Sequence, residues 1–260
     1  MASKRATAGN GHRQAANRRG EKVSALAPIA PRMLAETVVE AIVEAAAKGH
    51  FLPGDRIVEA DVARQLNVSR VPVREALRLL ESQGIVENIP YRGMRLMSIT
   101  PESMKSLRKV RLVLELLAGE ELQAMVRTDP QILEPLSRCV DDLRAAARAN
   151  DTLKVALLDI DFHRIMCELT GNSALMRAWE PLARQLTIVI GLSTYLQESL
   201  KTIVKEHVDL IEVLRNGDGE QLRAIMEEHI LEVPDAVNYE LLRAQRPDRP
   251  GSQAGATQRA

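Results

Sequence analysis

Aromatic side chains are scarce: two Phe, three Tyr and one Trp in 260 residues. That shortage argues against a single-strand nucleic-acid platform, which stacks bases on aromatic faces. Cysteine is scarcer still, and Cys139 and Cys167 are too few for a disulfide framework or a cysteine-built metal site. No run of about 18 apolar residues occurs, which excludes a transmembrane helix. The opening MASKRATAGNGHRQAANRRG has no apolar stretch of the kind a secretory signal needs, and reads as a disordered basic arm rather than a transit peptide. The expectation is a soluble, cytoplasmic chain of one or two domains, with no membrane partner.

Net charge is also absent, but the zero is a sum of unlike parts. Residues 1–98 hold 15 Lys/Arg against 10 Asp/Glu, while residues 99–260 hold 20 against 25. A basic first third joined to an acidic remainder is the pattern of a nucleic-acid reader fused to something else. Six of those basic residues precede Ala25, so the folded part of the first third must cluster its cations to bind a polyanion.

Hydrophobic spacing gives a largely helical order. AETVVEAIVEAAAK (35–48) places Val38, Val39, Ile42 and Val43 on one stripe and stops at Gly49; Leu52–Asp55 is a turn signal. Two short helices follow, one over about 59–66 and one opening at Ser69, a fitting N-cap, with Pro72 in its first turn and Gly84 after its end. IVENIPYRGMRLMSI partly alternates around Tyr91-Arg92-Gly93 and predicts a β-hairpin. Helix, helix–turn–helix, hairpin is the order of a winged helix. From Thr100-Pro101 onward the pattern predicts six helices, roughly 101–127, 130–149, 151–170, 173–196, 198–215 and 218–233, joined by short turns as in an antiparallel bundle. The segment after Pro234 reads as partly helical to Arg243, before a disordered tail.

The second helix of a helix–turn–helix enters the major groove. Here it carries Arg70, Arg74 and Arg78 every four residues along one side, with Arg the side chain best suited to a bidentate grip on guanine or phosphate. Spacing alone leaves a merely solvated face equally open. The stretch LPGDRIVEADVARQLNVSRVPVREALRLLESQGIVENIPYRGMRL (52–96), and VSRVPVREALRLLESQGIV above all, resembles the winged-helix reader of the GntR family of bacterial transcription factors. The resemblance implies DNA contact by Ser69, Arg70, Val71 and Arg74, and by a wing of Tyr91, Arg92 and Gly93. It also shows a departure. Family members often carry Arg between two Glu in the preceding helix, where this chain has Ala60 in Glu59-Ala60-Asp61, so one common base contact is missing.

Three of five histidines fall in the helical part. A single core histidine is most often just hydrogen-bonded, but Asp159 and His163 share a helix face at i, i+4, and His207 and His229 are each flanked by apolar residues that turn them inward. Three imidazoles and a carboxylate suit a divalent transition metal. The weaker alternative is a surface pair between Asp159 and a neighbouring cation. DIDFHRIMCELTGNSAL, Glu206-His207 and His229-Ile230 resemble the FCD effector domain of the FadR-type GntR branch, over about residues 100–233. That resemblance fills all four family metal positions with Asp159, His163, His207 and His229, with zinc or nickel the expected ion. Six helices rather than seven resembles the VanR-like subgroup. A small organic-acid effector is then expected, met by Arg111 of a KVRLVLE segment and by Asn172 of the Gly-Asn pair; Arg111 paired only with Glu115 at i+4 is the equal alternative.

These readings combine into a mainly α chain: a disordered basic tail (1–28), a winged helix-turn-helix domain (29–99), an FCD-like effector and dimerisation bundle (100–235) and an extension (236–260). The function expected is a ligand-responsive repressor, a homodimer on pseudo-palindromic double-stranded operator DNA, and not an enzyme. A catalytic metal activating water stays as an alternative, against which no further general base stands out. A purely structural metal is the other.

Overall fold

A computed structural model describes residues 33–194 and 200–231. Helix α1 (Met33–Ala47) buries the stripe of Val38, Val39, Ile42 and Val43 that its spacing predicts. Helices α2 (Glu59–Gln65) and α3 (Arg70–Ser82) form the helix–turn–helix. Asn67 adopts φ 52°, and the amides of Asn67 and Val68 bond back to the carbonyls of Arg64 and Ala63, closing α2 abruptly. α3 closes the same way: Gly84 takes φ 69°, with the Gly84 and Ile85 amides on the carbonyls of Glu81 and Leu80. The hydroxyl cap expected of Ser69 is not made. Ser69 holds the N-cap position in extended backbone, yet its side chain accepts no amide. Pro72 sits at the third helical position and has no N–H to give.

Strands β1 (Val86–Ile89) and β2 (Gly93–Leu96) pair antiparallel, Val86 opposite Leu96 and Ile89 opposite Gly93. A third extended segment, unexpected from sequence, runs along the other edge of β2: Ile57 donates to the Met94 carbonyl, Leu96 to that of Asp55, and Arg56 bridges Arg95. So few residues pair there that no alternation could announce them.

Six α-helices and one 3-10 turn follow among the described residues. α4 (Pro101–Val126) opens on the expected Thr100, in a reciprocal cap with Ser103. A 3-10 turn (Pro130–Leu133) precedes α5 (Glu134–Arg148), where sequence predicts one continuous helix. α6 (Thr152–Leu169) is capped by Asp151; α7 (Ser173–Thr194), α8 (Leu200–Asn216) and α9 (Gly219–Leu231) complete the bundle. α6 packs between α5 and α7, and α4 lies against α6, α7, α8 and α9. The expectations for 1–28, for a helix to Arg243 and for 236–260 lie outside the described residues.

Two large hydrophobic cores divide this structure unevenly, beside a small cluster of Leu143, Ala146, Val155, Leu200 and Ile203. The bundle core centres on Phe162, Met166 and Trp179. The winged-helix core gathers Val39, Leu52, Val73, Leu77, Leu80 and Leu96, and also takes Ile188, Val189 and Leu192 from α7. α7 reaches this core because Gly191 lets α1 come close: a Cβ there would stand 2.8 Å from the Ala47 Cβ and 2.9 Å from its carbonyl oxygen. Polar contacts flank the approach. Arg184 pairs with Glu36 and Glu40, and Gln185 donates to the Gln83 carbonyl at 2.6 Å.

Candidate metal centre and DNA-reading face

α3 presents Ser69, Arg70, Val71, Arg74 and Arg78 to solvent, while Pro72, Val73, Ala76 and Leu77 turn into the core. The hairpin tip carries Tyr91, fully exposed at φ 63°, then exposed Arg92 and half-buried Gly93 at φ 75°. Arg95 anchors the hairpin, donating to the Gly54 carbonyl at 2.6 Å. The candidate DNA contacts thus lie on an exposed helix face and a projecting turn, both with arginines. One partner is new: Glu59 of α2 grips Arg74, with Nε on Oε2 at 3.3 Å and Nη2 on Oε1 at 2.9 Å.

Inside the bundle, α6 contributes Asp159 and His163, α8 His207 and α9 His229, one ligand atom of each lying within 4.8 Å of all the others. All four are buried. The inward carboxylate replaces the alternative of a surface pair, since Asp159 Oδ1 stands 3.2 Å from His207 Nε2. His163 Nε2 and His229 Nε2 are 3.0 Å apart. Each ring's other nitrogen faces an acceptor: His163 Nδ1 lies 2.8 Å from Glu115 Oε2, His207 Nδ1 lies 2.7 Å from the Ile203 carbonyl, and His229 Nδ1 lies 3.0 Å from Glu206 Oε2.

The Ile203 carbonyl and the Glu206 carboxylate set the Nδ1–H tautomer of His207 and His229, and Glu115 Oε2 is the acceptor nearest the same nitrogen of His163. If every Nδ1 carries the proton and donates outward, every Nε2 turns a lone pair inward toward the others and toward a carboxylate. Three lone pairs and an anion facing one another offer a cation four donors. The buried Nε2 of His207 has no hydrogen-bond partner. The donor set fits a divalent metal.

Electrostatics agree. Burial, then the positive charge of Arg111 and the neighbouring His229, pushes His163 well below the ordinary imidazole value. Burial also lowers His229, partly opposed by its bond to Glu206. Burial alone would raise Asp159, but the nearby imidazoles of His207 and His163 and the charge of Arg111 outweigh it and hold the carboxyl below its usual range. Neutral imidazoles and an ionised carboxylate are the forms that bind metals. The two cysteines stay apart from this chemistry: burial pushes the Cys139 thiol up to about 12 and raises Cys167 too.

Arg111 is buried on α4 and its Nε donates to Glu115 Oε1 at 2.7 Å, so the i, i+4 pair is present. Its Nη2 is buried without a hydrogen-bond partner. Asn172 is the residue before α7: its Oδ1 accepts from the amides of Ala174 and Leu175, and its Nδ2 donates to Glu121 at 3.1 Å. Sequence reasoning missed Glu206 as the support of His229, which no spacing could announce because α8 and α9 meet only in the fold. Glu115 had a visible signal in its offset from Arg111, though not its second partner, His163.

The comparisons with known proteins agree with this layout. Residues 34–96 match the family described as bacterial regulatory proteins, gntR family, and residues 106–232 match the FCD domain. The uncharacterized HTH-type transcriptional regulator YdhC of Bacillus subtilis (strain 168) is 27% identical over 184 residues, covering 70% of this chain and 80% of that protein. A probable D-xylose utilization operon transcriptional repressor of Paenarthrobacter nicotinovorans is 24% identical over 197 residues, covering 76% and 85%. An uncharacterized HTH-type regulator from the ttuE-ttuC' intergenic region of Agrobacterium vitis is 30% identical over 118 residues, covering 45% and 68%. In fold, the chain is similar to Escherichia coli McbR/YncC, with a TM-score of 0.64 at 22% identity over 82% of this chain and 98% of that one. The families and relatives are transcriptional regulators, not enzymes.

Proposed function

The chain belongs to the gntR family of bacterial regulatory proteins, as a DNA-binding member that carries an FCD domain, and on that premise we propose a metal-containing, effector-responsive repressor. Residues 29–99 are the reader and 100–235 the effector and dimerisation domain, of the VanR-like, six-helix kind. The repressors among its relatives support the direction of control. A cytoplasmic homodimer sets one reader on each half of a pseudo-palindromic operator. Ser69, Arg70, Val71 and Arg74 approach bases and phosphates in the major groove, and Tyr91, Arg92 and Gly93 reach the neighbouring minor groove.

The observation that carries the sensing half is the convergence of three outward-tethered imidazoles and Asp159 in one buried pocket. Asp159, His163, His207 and His229 would hold a divalent ion such as zinc or nickel, which supplies Lewis-acid positions for a small carboxylate. Arg111 offers that carboxylate its unpartnered Nη2, while Glu115 holds the guanidinium and His163 in place together. Asn172, the second effector contact of this reading, stands at the start of α7, where its Oδ1 caps the helix and its Nδ2 donates to Glu121. α7 in turn touches α1 of the reader. An effector that binds one reader arrangement better than the other shifts the population toward it; equal affinity would shift nothing.

Metal analysis of purified protein, before and after chelation and reloading, tests the centre. One divalent ion per chain is expected, and a protein that never takes one up refutes it. A panel of small organic acids is then titrated against protein bound to its operator. Release from the parent and none from His207→Ala is the expected result; equal release from both refutes the sensing role.

A further inference from the structure

We propose that Glu59 is a positioning residue for DNA reading: it holds one edge of the Arg74 guanidinium so that the other edge faces outward as a preset fork. The inference rests on Arg74 reading DNA. Its observation is separate, a two-point contact between α2 and α3.

An arginine has five N–H donors in one plane. Glu59 takes Nε–H and one Nη2–H. Both Nη1 hydrogens and the second Nη2 hydrogen remain, and one from each nitrogen forms a fork at the end of the plane farthest from the backbone. That end matches the adjacent O6 and N7 acceptors of guanine in the major groove. The two backbones that set the pair are rigid. Glu59 opens α2, whose Val62 and Ala63 are buried, and Arg74 lies one turn into α3 beside buried Val73 and Leu77, all in the same core. Residue 60, beside Glu59, is alanine and adds no cation to compete for the carboxylate.

Stability does not explain the pair. The Arg74 side chain is 57% exposed and that of Glu59 29%, and ion pairs this open add little to folding. What the pair removes is rotamer freedom, which a long side chain otherwise loses on binding. Glu59 also has a cost: it places a negative charge near phosphates. A residue that opposes DNA in general and aligns one base-reading group raises discrimination more than affinity.

The test uses the full-length protein and two duplexes of equal length at fixed salt. One is the site that the parent selects from a random-sequence library; the other is random sequence. Glu59→Ala is expected to bind random duplex as well as the parent or better. Its ratio of selected-site to random affinity falls about three- to tenfold, a share of the discrimination one bidentate pair supplies. Glu59→Gln, which keeps an acceptor oxygen, falls between. In an Arg74→Ala background, Glu59→Ala leaves the ratio unchanged. An unchanged ratio in Glu59→Ala alone, or an equal fall with and without Arg74, overturns the positioning role. An Arg74→Ala protein with the parent's ratio overturns the DNA role of Arg74 and this inference with it.

Discussion

Glu115 sits fully buried between a guanidinium and an imidazole, one oxygen on Arg111 Nε and the other beside His163 Nδ1. Burial raises its pKa, and Arg111 opposes the rise. Glu115→Gln preserves shape and removes the anion that makes His163 a better donor to metal. Metal affinity is expected to fall about 10–100-fold with the fold intact, as measured by competition with a chelator. Full affinity would show that the carboxylate plays no part. The imidazoles also predict a pH dependence for metal-free protein. His163 and His229 have folded pKa values below the unfolded value of about 6.5, so below that pH the unfolded chain binds more protons. Stability is therefore full above about 6.5 and is lost as pH falls toward the folded values. The loss is up to about 1.4 kcal/mol per pH unit for each ring. Glu115, raised by burial, titrates in the opposite sense and reduces the slope. Urea midpoints in chelator from pH 7 to 5 should fall; a rise contradicts the assignment.

At the scale of the element, α7 packs against α1, α4 and α6, and its glycine decides how near α1 comes. Gly191→Ala gains about 1 kcal/mol of helix propensity but drives a methyl into Ala47 backbone, an overpacking that costs about 1–3 kcal/mol. Gly119 on α4 provides the contrast, since a Cβ there meets only the Leu222 side-chain tip, at 2.9 Å. Thermal melts should show Gly191→Ala less stable than the parent and Gly119→Ala close to it. Equal effects would mean that backbone contact at Ala47 is not the constraint. The same elements mark what the sequence reveals. Helices were legible wherever a stripe met a chemical stop: Gly84 after α3, Thr100-Pro101 before α4, Asn150-Asp151 between α5 and α6. Asp159 and His163 were legible because one helix carries both. Glu59 with Arg74, 15 residues apart, and Glu206 with His229 were not, because each pair exists only after two helices dock. Ile188, Val189 and Leu192 read as one apolar stripe, and nothing local says that the stripe ends in a different core from Leu182 and Leu186.

For the whole molecule, zero net charge conceals a basic N-terminal arm whose six Lys/Arg before Ala25 face one Glu. Those cations can neutralise phosphates without reading sequence, so deleting residues 1–25 should flatten the salt dependence of binding to random duplex while leaving operator preference nearly intact. An unchanged slope would show that the arm does not touch DNA. The described residues form one compact unit, with the winged-helix core completed by three side chains of α7. That shared packing bears on how such a regulator can be retargeted. A reader grafted from another protein at the Ser98–Thr100 junction would arrive with its own α1 and no matching ridge, leaving a hollow beneath the new reader and bare Ile188, Val189 and Leu192 on the old bundle. A chimera meant to sense one metabolite and address another promoter has to exchange this ridge along with the reader, and natural descent has to alter the two in step.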